Sequence, residues 1–494
     1  MWRSVLAAAL ALTAGMAAAQ APAPAPAPGW SAAPWLEDLA QMRTALDERY
    51  ANLDWLREER ELDLDALFER ARTTLGAARS DQEARAVFDR IVQRIADGHV
   101  ALSWPRPAAA AQGAQAGPAP AAAPPPATPA AFCARLGYDA RQASAGTGPA
   151  LAGYRALEGD NVFPAGTIRV SGRLVGVVRI GVFQPQGYPA ACEAAAAALG
   201  TPLDRPCDSA CEDAILTAAY RRLTGDLQAR LTALRAAGAA ALLVDIANNG
   251  GGSEWAETAA RTLSPGPLTS ARRGFVRGAH WARQWRELAV RLRGAAAAAT
   301  PADRARLLGL AAEAEAAQRV AETPCPPGGA GCTRLGTAGF ATGLIGTLPA
   351  GSLAGRDWAP YVFNPAQFDY RDGVWAGPLL VLVDGETWSA AEQFAALLQD
   401  NRAAIVLGAR TGGAGCGHTY GGTPVTLARS GAVLRVPDCV RFRRDGSNEV
   451  RGILPDVALP IRSNDGARFR ARLIEAALPE ALARASALAR ETRR

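Results

Sequence analysis

An α/β core, with a small helical bundle ahead of it and a helical insertion inside it, is the architecture this sequence predicts. Three observations carry that expectation. Short apolar runs at 167–170, 174–182, 240–246, 379–384 and 403–407 alternate with helical stretches at 208–237, 254–263 and 388–400, and such alternation builds a sheet whose reactive loops lie at strand ends. Ahead of them, 30–96 repeats apolar residues at intervals of three and four, the period of one helix face. Among them, an Arg/Ala-rich stretch at 282–320 keeps a helical pattern but interrupts the alternation.

The elements follow in chain order. Met1-Trp2-Arg3, an apolar run from Val5 to Ala19 and the small residues Ala17-Ala18-Ala19 read as a secretory signal over 1–19, since the run is too short to span a bilayer. No cysteine follows at once, so no lipid anchor is expected, and no later segment reaches the roughly 18 apolar residues of a membrane helix. The expected destination is therefore outside the cytoplasm, the periplasm of a Gram-negative bacterium or the medium. Residues 20–29 read as an Ala/Pro tether. Leu46, Tyr50, Leu53, Leu56, Leu64, Leu67, Phe68, Val87, Phe88, Ile91 and Ile95 mark the inner faces of the bundle, 30–96. A segment at 97–170 follows, carrying a low-complexity Ala/Pro/Gly loop at 107–130 that cannot bury a core. The core itself is expected over 171–463, with its helical insertion at about 270–350, and 464–494 reads as a C-terminal helix.

Composition excludes several chemistries. All 53 basic residues are arginine, and the only histidines are His99, His280 and His418. Without lysine there is no Schiff base, no Ser–Lys dyad and no Walker A loop. Net charge is a mild +6, and the densest basic patch, Arg441, Arg443 and Arg444, has only Phe442 beside it, so no nucleic-acid partner is expected. Eight cysteines in an exported chain argue for disulfides, with Cys325–Cys332 and Cys416–Cys439 as candidate pairs. No CxxC pair or HExxH is present, so no metal or other cofactor is expected.

Four segments could carry chemistry. In Val381-Leu-Val-Asp-Gly-Glu-Thr-Trp-Ser389-Ala-Ala-Glu392, an apolar strand turns through a polar corner into a helix, whose first amides favour a developing oxyanion. Ser389-Ala-Ala-Glu392 is equally a capping box that needs no catalysis. Leu242-Leu-Val-Asp245-Ile-Ala-Asn248-Asn249-Gly250-Gly251-Gly252 ends a buried strand in bare glycine amides, which serve a tight turn or a ligand alike. Gly98-His99 follows a helix ending at Ala96, where Gly98 suits a C′ glycine. Glu449-Val-Arg-Gly452-Ile-Leu-Pro455-Asp456-Val makes a shaped turn near the end of the core. His280 reads as structural, and His418 sits in a glycine loop.

These segments, in this order and with Gly408-Ala-Arg-Thr-Gly-Gly between them, resemble the C-terminal processing (tail-specific) serine peptidase family. The resemblance implies a crotonase-like ββα superhelix, a peptide or unfolded-protein substrate, Ser389 as nucleophile, and an oxyanion hole from the amides of Gly251 and Ala390. Ser–Lys members of that family place the lysine where Ala414 stands, so the base must be something else. A branch that includes the tricorn core protease is the better model, because it uses an earlier histidine and a glutamate ahead of the Gly-x-x-Pro-Asp turn, places matched by His99 and Glu449. That branch has a serine before the histidine, where Gly98 stands here, so Asp97 or Ser103 becomes a candidate for orienting the ring. Many relatives carry a PDZ domain, for which no glycine-loop-and-strand pattern is evident in 106–170.

The expectation is a serine-type endopeptidase with His99 as base and His418 as the alternative base. A non-catalytic ligand- or peptide-binding protein on the same fold is a second reading, and a Cys416 nucleophile with His418 a third. Oligomeric state has no signature in the sequence.

Overall fold

The computed structural model describes residues 30–105, 128–323, 325, 333–418 and 424–492. The expected signal and tether, most of the 107–130 loop, and Cys332 of the expected Cys325–Cys332 pair lie outside those residues.

Helices α1 (Ala33–Arg49), α2 (Leu64–Ala77) and α3 (Asp81–Ile95) come first. Asp63 and Ser80 start the second and third by accepting the amides of Ala66 and Glu83 at 2.9 and 3.2 Å, satisfying donors that a helix start leaves open. Strand β1 (Ala101–Ser103), helix α4 (Pro129–Arg135), strands β2 (Arg155–Ala156), β3 (Ala165–Val170) and β4 (Arg173–Arg179), and helices α5 (Pro189–Ala198) and α6 (Ser209–Ala236) follow. Next come β5 (Ala241–Asp245), α7 (Trp255–Thr262), β6 (Arg272–Val276), α8 (Ala279–Ala298), α9 (Pro301–Glu322), β7 (Leu335–Phe340) and α10 (Ala359–Val362). The chain closes with β8 (Leu379–Val383), α11 (Ala390–Asp400), β9 (Ile405–Gly408), β10 (Val425–Thr426), β11 (Val433–Arg435), β12 (Cys439–Phe442), β13 (Val457–Ala458) and α12 (Ala467–Glu491).

The architecture is mixed α/β. Its central sheet has the order β13-β9-β8-β5-β4-β3-β2, parallel from β13 to β4 and antiparallel beyond. β5, β8 and β9 are buried along their whole length, which is why they read as unbroken apolar runs. Side chains alternate between faces: Leu242, Val244, Val381 and Val383 pack with α6, α7 and α11, whereas Leu243, Leu380 and Leu382 pack with Ile474, Leu478 and Leu482 of α12. Two further cores flank the sheet. α1–α3 close around Met42, Leu46, Phe88 and Ile91 together with Leu427, Leu434 and Val450 from late in the chain. α8 and α9 pack with Phe275, Leu344 and Trp358.

Disulfides join Cys133 to Cys192, Cys207 to Cys211, and Cys416 to Cys439. Among the described residues no helix is long and apolar enough to cross a membrane. Of the arginines read as a basic patch, Arg441 pairs with Glu449 and Arg443 with Asp400, leaving Arg444 exposed.

Candidate active site

β8 delivers its C-terminal end into a corner held by its own polar residues. Thr387 donates its amide to the Asp384 carbonyl and its hydroxyl to the Ile246 carbonyl at the end of β5, at 3.0 and 3.2 Å. Trp388 donates its amide to the Asn249 carbonyl at 2.9 Å, tying the corner to the glycine turn. Ser389 then sits at φ 55°, ψ −116°, a conformation that costs a non-glycine residue energy and recurs at functional corners. α11 begins at Ala390, whose amide belongs to the first helical turn and has no intrahelical acceptor.

The expected capping box contributes its glutamate half. Glu392 accepts the Ser389 amide at 2.9 Å. The Ser389 hydroxyl lies 3.0 Å from His99 Nε2. His99 Nδ1 lies 3.0 Å from the carbonyl oxygen of Ala414. A carbonyl can only accept, so the proton resides on Nδ1 and Nε2 is left as acceptor for the serine hydroxyl.

The loop carrying His99 is anchored from below. α3 ends with Ala96 in the left-handed region at φ 53°, so the turn expected at Gly98 is made two residues earlier. Asp97 accepts the His99 amide on one oxygen, and Tyr50 Oη and Asn52 Nδ2 on the other, all at 2.9 Å. Ser103, the other candidate for orienting the ring, lies on β1 opposite Val433 and is exposed. Gly98 has a different reason to be glycine. A Cβ there would stand 2.7 Å from the Trp388 ring and 3.2 Å from the Ala414 Cβ. Gly412 meets the same ring, at 2.4 Å. Trp388 thus fits only because both neighbours lack a side chain, and a serine at position 98 would collide with it.

Burial holds the His99 imidazole down to about 4, with Arg441 and His418 adding repulsion and the Ala414 carbonyl opposing them. Burial pushes Asp97 up to about 6 against its three hydrogen bonds. His418 is beside His99, ring centroids 6.4 Å apart, bonded to the backbone of Val436 and His99 and lowered chiefly by burial. Among the described residues it makes no bond to Ser389. Cys416 is locked in its disulfide with Cys439, which removes the Cys416 nucleophile.

Glu449 does not touch His99. Its oxygens hold Arg441 Nε and Nη2 at 2.7 and 2.8 Å, and Arg441 reaches the carbonyls of Gly415 and Ser389 at 2.8 and 3.2 Å. Gly251 lies against the corner, since a Cβ there would meet the Trp388 carbonyl at 2.8 Å and Ser389 Cβ at 2.9 Å. Its own amide donates to Asn249 Oδ1 at 2.8 Å. His280 binds Asp438 Oδ2 at 2.9 Å, away from Ser389.

Two groups were not singled out from the sequence. Glu392 accepts Thr411 Oγ1 and the amides of Gly413 and Ala414 at 2.6, 2.8 and 2.8 Å, besides that of Ser389. It therefore couples the serine corner to the carbonyl that orients His99. The S-x-x-E spacing was its signal, read there only as a helix cap. The second is Arg441, whose only signal was membership of a basic cluster.

Ser389 and His99 open into a cleft of about 440 Å³, walled by Gly252, Arg273, Gln284, Trp285 and Asn364 among others. Among the described residues no group of three metal-binding side chains occurs.

Residues 215–459 match the sequence profile of peptidase family S41. Among solved structures, mature CPAF is 14% identical with a TM-score of 0.55, over 92% of this chain and 98% of that one. CPAF complexed with lactacystin is 15% identical at 0.55, over 92% and 99%. The photosystem II D1 C-terminal processing protease is 15% identical at 0.34, over 87% and 95%. No curated protein matches the sequence significantly. At these identities the CPAF structures speak for a shared fold. The profile match supplies the family: through residues 215–459 the chain belongs to peptidase family S41, and it is a serine-type peptidase.

Proposed function

We propose that this chain is an exported endopeptidase that cleaves peptide bonds through an acyl-enzyme on Ser389, with His99 as general base. The observation that carries the reading is the 3.0 Å approach of His99 Nε2 to Ser389 Oγ, with Nδ1 committed to the Ala414 carbonyl. Ser389 Oγ attacks the scissile carbonyl as Nε2 takes its proton, and the imidazolium returns that proton to the leaving amine. Water then enters by the same route and frees the acyl group. The backbone carbonyl of Ala414 does the orienting that a carboxylate does in a Ser-His-Asp triad.

The developing oxyanion would be met by the Ala390 amide and by an amide of the glycine turn. Gly251 serves if its amide is shared with Asn249, and Gly252 of the same turn lines the cleft. Glu449 acts at one remove. By neutralising Arg441 it limits the repulsion that the guanidinium exerts on an imidazolium. Export is supported by the disulfides and by the expected signal over 1–19.

Ser389→Ala should abolish hydrolysis of a generic peptide, and a fluorophosphonate should label Ser389 in the wild type but not in His99→Ala. Peptide turnover by Ser389→Ala at the wild-type rate would refute the assignment.

A further inference from the structure

A second guanidinium shares the cleft with Ser389 and, among the described residues, forms no ion pair. Arg273 on β6 lies directly opposite Arg441 on β12 in the antiparallel register, so both side chains stand on one face of the sheet. Arg441 is matched in full by Glu449 and two carbonyls. Arg273 makes one hydrogen bond, to the Ala341 carbonyl at 3.1 Å, and among the described residues no carboxylate comes within 4.0 Å of it. Like charges directly opposite each other are destabilising, and a part-buried cation without a counter-ion more so.

Its surroundings keep that charge open to the cleft. β7 bulges against β6 between Arg272 and Gly274, and bulges re-aim the side chain beside them. Glu254 and Asp438 favour the cation, but Glu254, which lines the same cleft, is exposed and more than 4.0 Å away, and Asp438 is committed to His280 at 2.9 Å. Burial brings Arg273 down to about 10, which leaves it charged at neutral pH. Among the described residues two buried polar atoms without a hydrogen-bond partner, Trp285 Nε1 and Asn364 Oδ1, belong to residues lining the same cleft.

We propose that Arg273 binds a carboxylate of the peptide substrate and so gives the enzyme a preference for acidic peptides. The carboxylate is either an Asp or Glu side chain near the scissile bond or the C-terminal carboxylate of the peptide. The proposal rests on Ser389 and His99 being the hydrolytic pair.

A random peptide library, prepared with Glu or Gln and as C-terminal acid or amide, is cleaved by wild type, Arg273→Gln and Arg273→Lys, with fluorophosphonate labelling of Ser389 measured in each. Wild type should cleave one acidic form roughly 10- to 100-fold faster than its neutral counterpart. Arg273→Gln should lose that ratio while still labelling, and Arg273→Lys should keep part of it. The Glu/Gln pair and the acid/amide pair distinguish the two sources. Equal cleavage of all four forms by a wild type that labels overturns the proposal, as does an undiminished ratio in Arg273→Gln. Should Arg273→Gln fail to label, the wild-type ratio and Arg273→Lys decide. Absence of both labelling and cleavage in the wild type removes the hydrolytic reading and the proposal with it.

Discussion

His99 works in an environment that disfavours its charged form, and that has a consequence for pH. An ordinary imidazole is half protonated near 6.5. Burial, the Arg441 guanidinium and His418 pull His99 down to about 4, while Glu449, bound to Arg441, faces it only through that pair. In the proposed mechanism the neutral ring is the base, so activity should be present above the folded value and lost as pH falls through it. The kcat/KM profile of the free enzyme should therefore keep a limb near 4 rather than near 6.5. Asp97, pushed up to about 6, titrates between these values and holds the His99 amide, so the profile should be recorded in Asp97→Asn as well. A limb near 4 that survives in that variant supports the assignment. One near 6.5 that survives contradicts it.

At the scale of elements, the corner between β8 and α11 depends on one buried carboxylate. Glu392 accepts four donors, one from Ser389 just ahead of α11 and three from the 411–414 loop, and burial, then Glu449, raises its pKa. Glu392→Gln puts an amide donor where only donors await, leaving at least one buried N–H unpaired. The expected loss is about 1–3 kcal/mol of stability, read as a lower Tm, together with a fall in kcat larger than any change in KM. An unchanged Tm and kcat would show that the carboxylate organises nothing.

The same corner shows what a sequence can and cannot reveal. β5, β8 and β9 were readable because burial on both faces writes a continuous apolar run, and the Ser389 corner because a strand, a polar turn and S-x-x-E stand in succession. The groups that join it to His99 were not. Ala414 acts through its carbonyl, which leaves no trace in residue type. Trp388 is held by the absence of side chains at Gly98 and Gly412. Arg441 looked like surface charge because Glu449, its partner, comes from the turn beyond β12.

Across the whole molecule, the proposed base and nucleophile belong to different cores. His99 hangs from the helical bundle and Ser389 from the sheet, so their 3.0 Å approach depends on how the two are docked. Arg334, just ahead of β7, helps to seat the bundle, by holding it to the smaller sheet β12-β6-β7, whose Arg441 in turn reaches the Ser389 carbonyl. The Arg334 guanidinium donates to the carbonyls of Leu46, Asp47 and Tyr50 at the end of α1, where a cation also complements the helix dipole. Ala51 N–H to the Pro437 carbonyl and Asn448 to Asn52 add to it, each at 2.8 Å. Arg334→Ala removes the cation and strips partners from three carbonyls, at a cost of about 1–3 kcal/mol. If docking sets the approach of His99 to Ser389, this variant should lose fluorophosphonate labelling at lower denaturant than it loses far-UV ellipticity, whereas in the wild type the two losses lie closer together. Coincident losses in the variant, at the wild-type midpoint, would show that the bundle stays seated without Arg334.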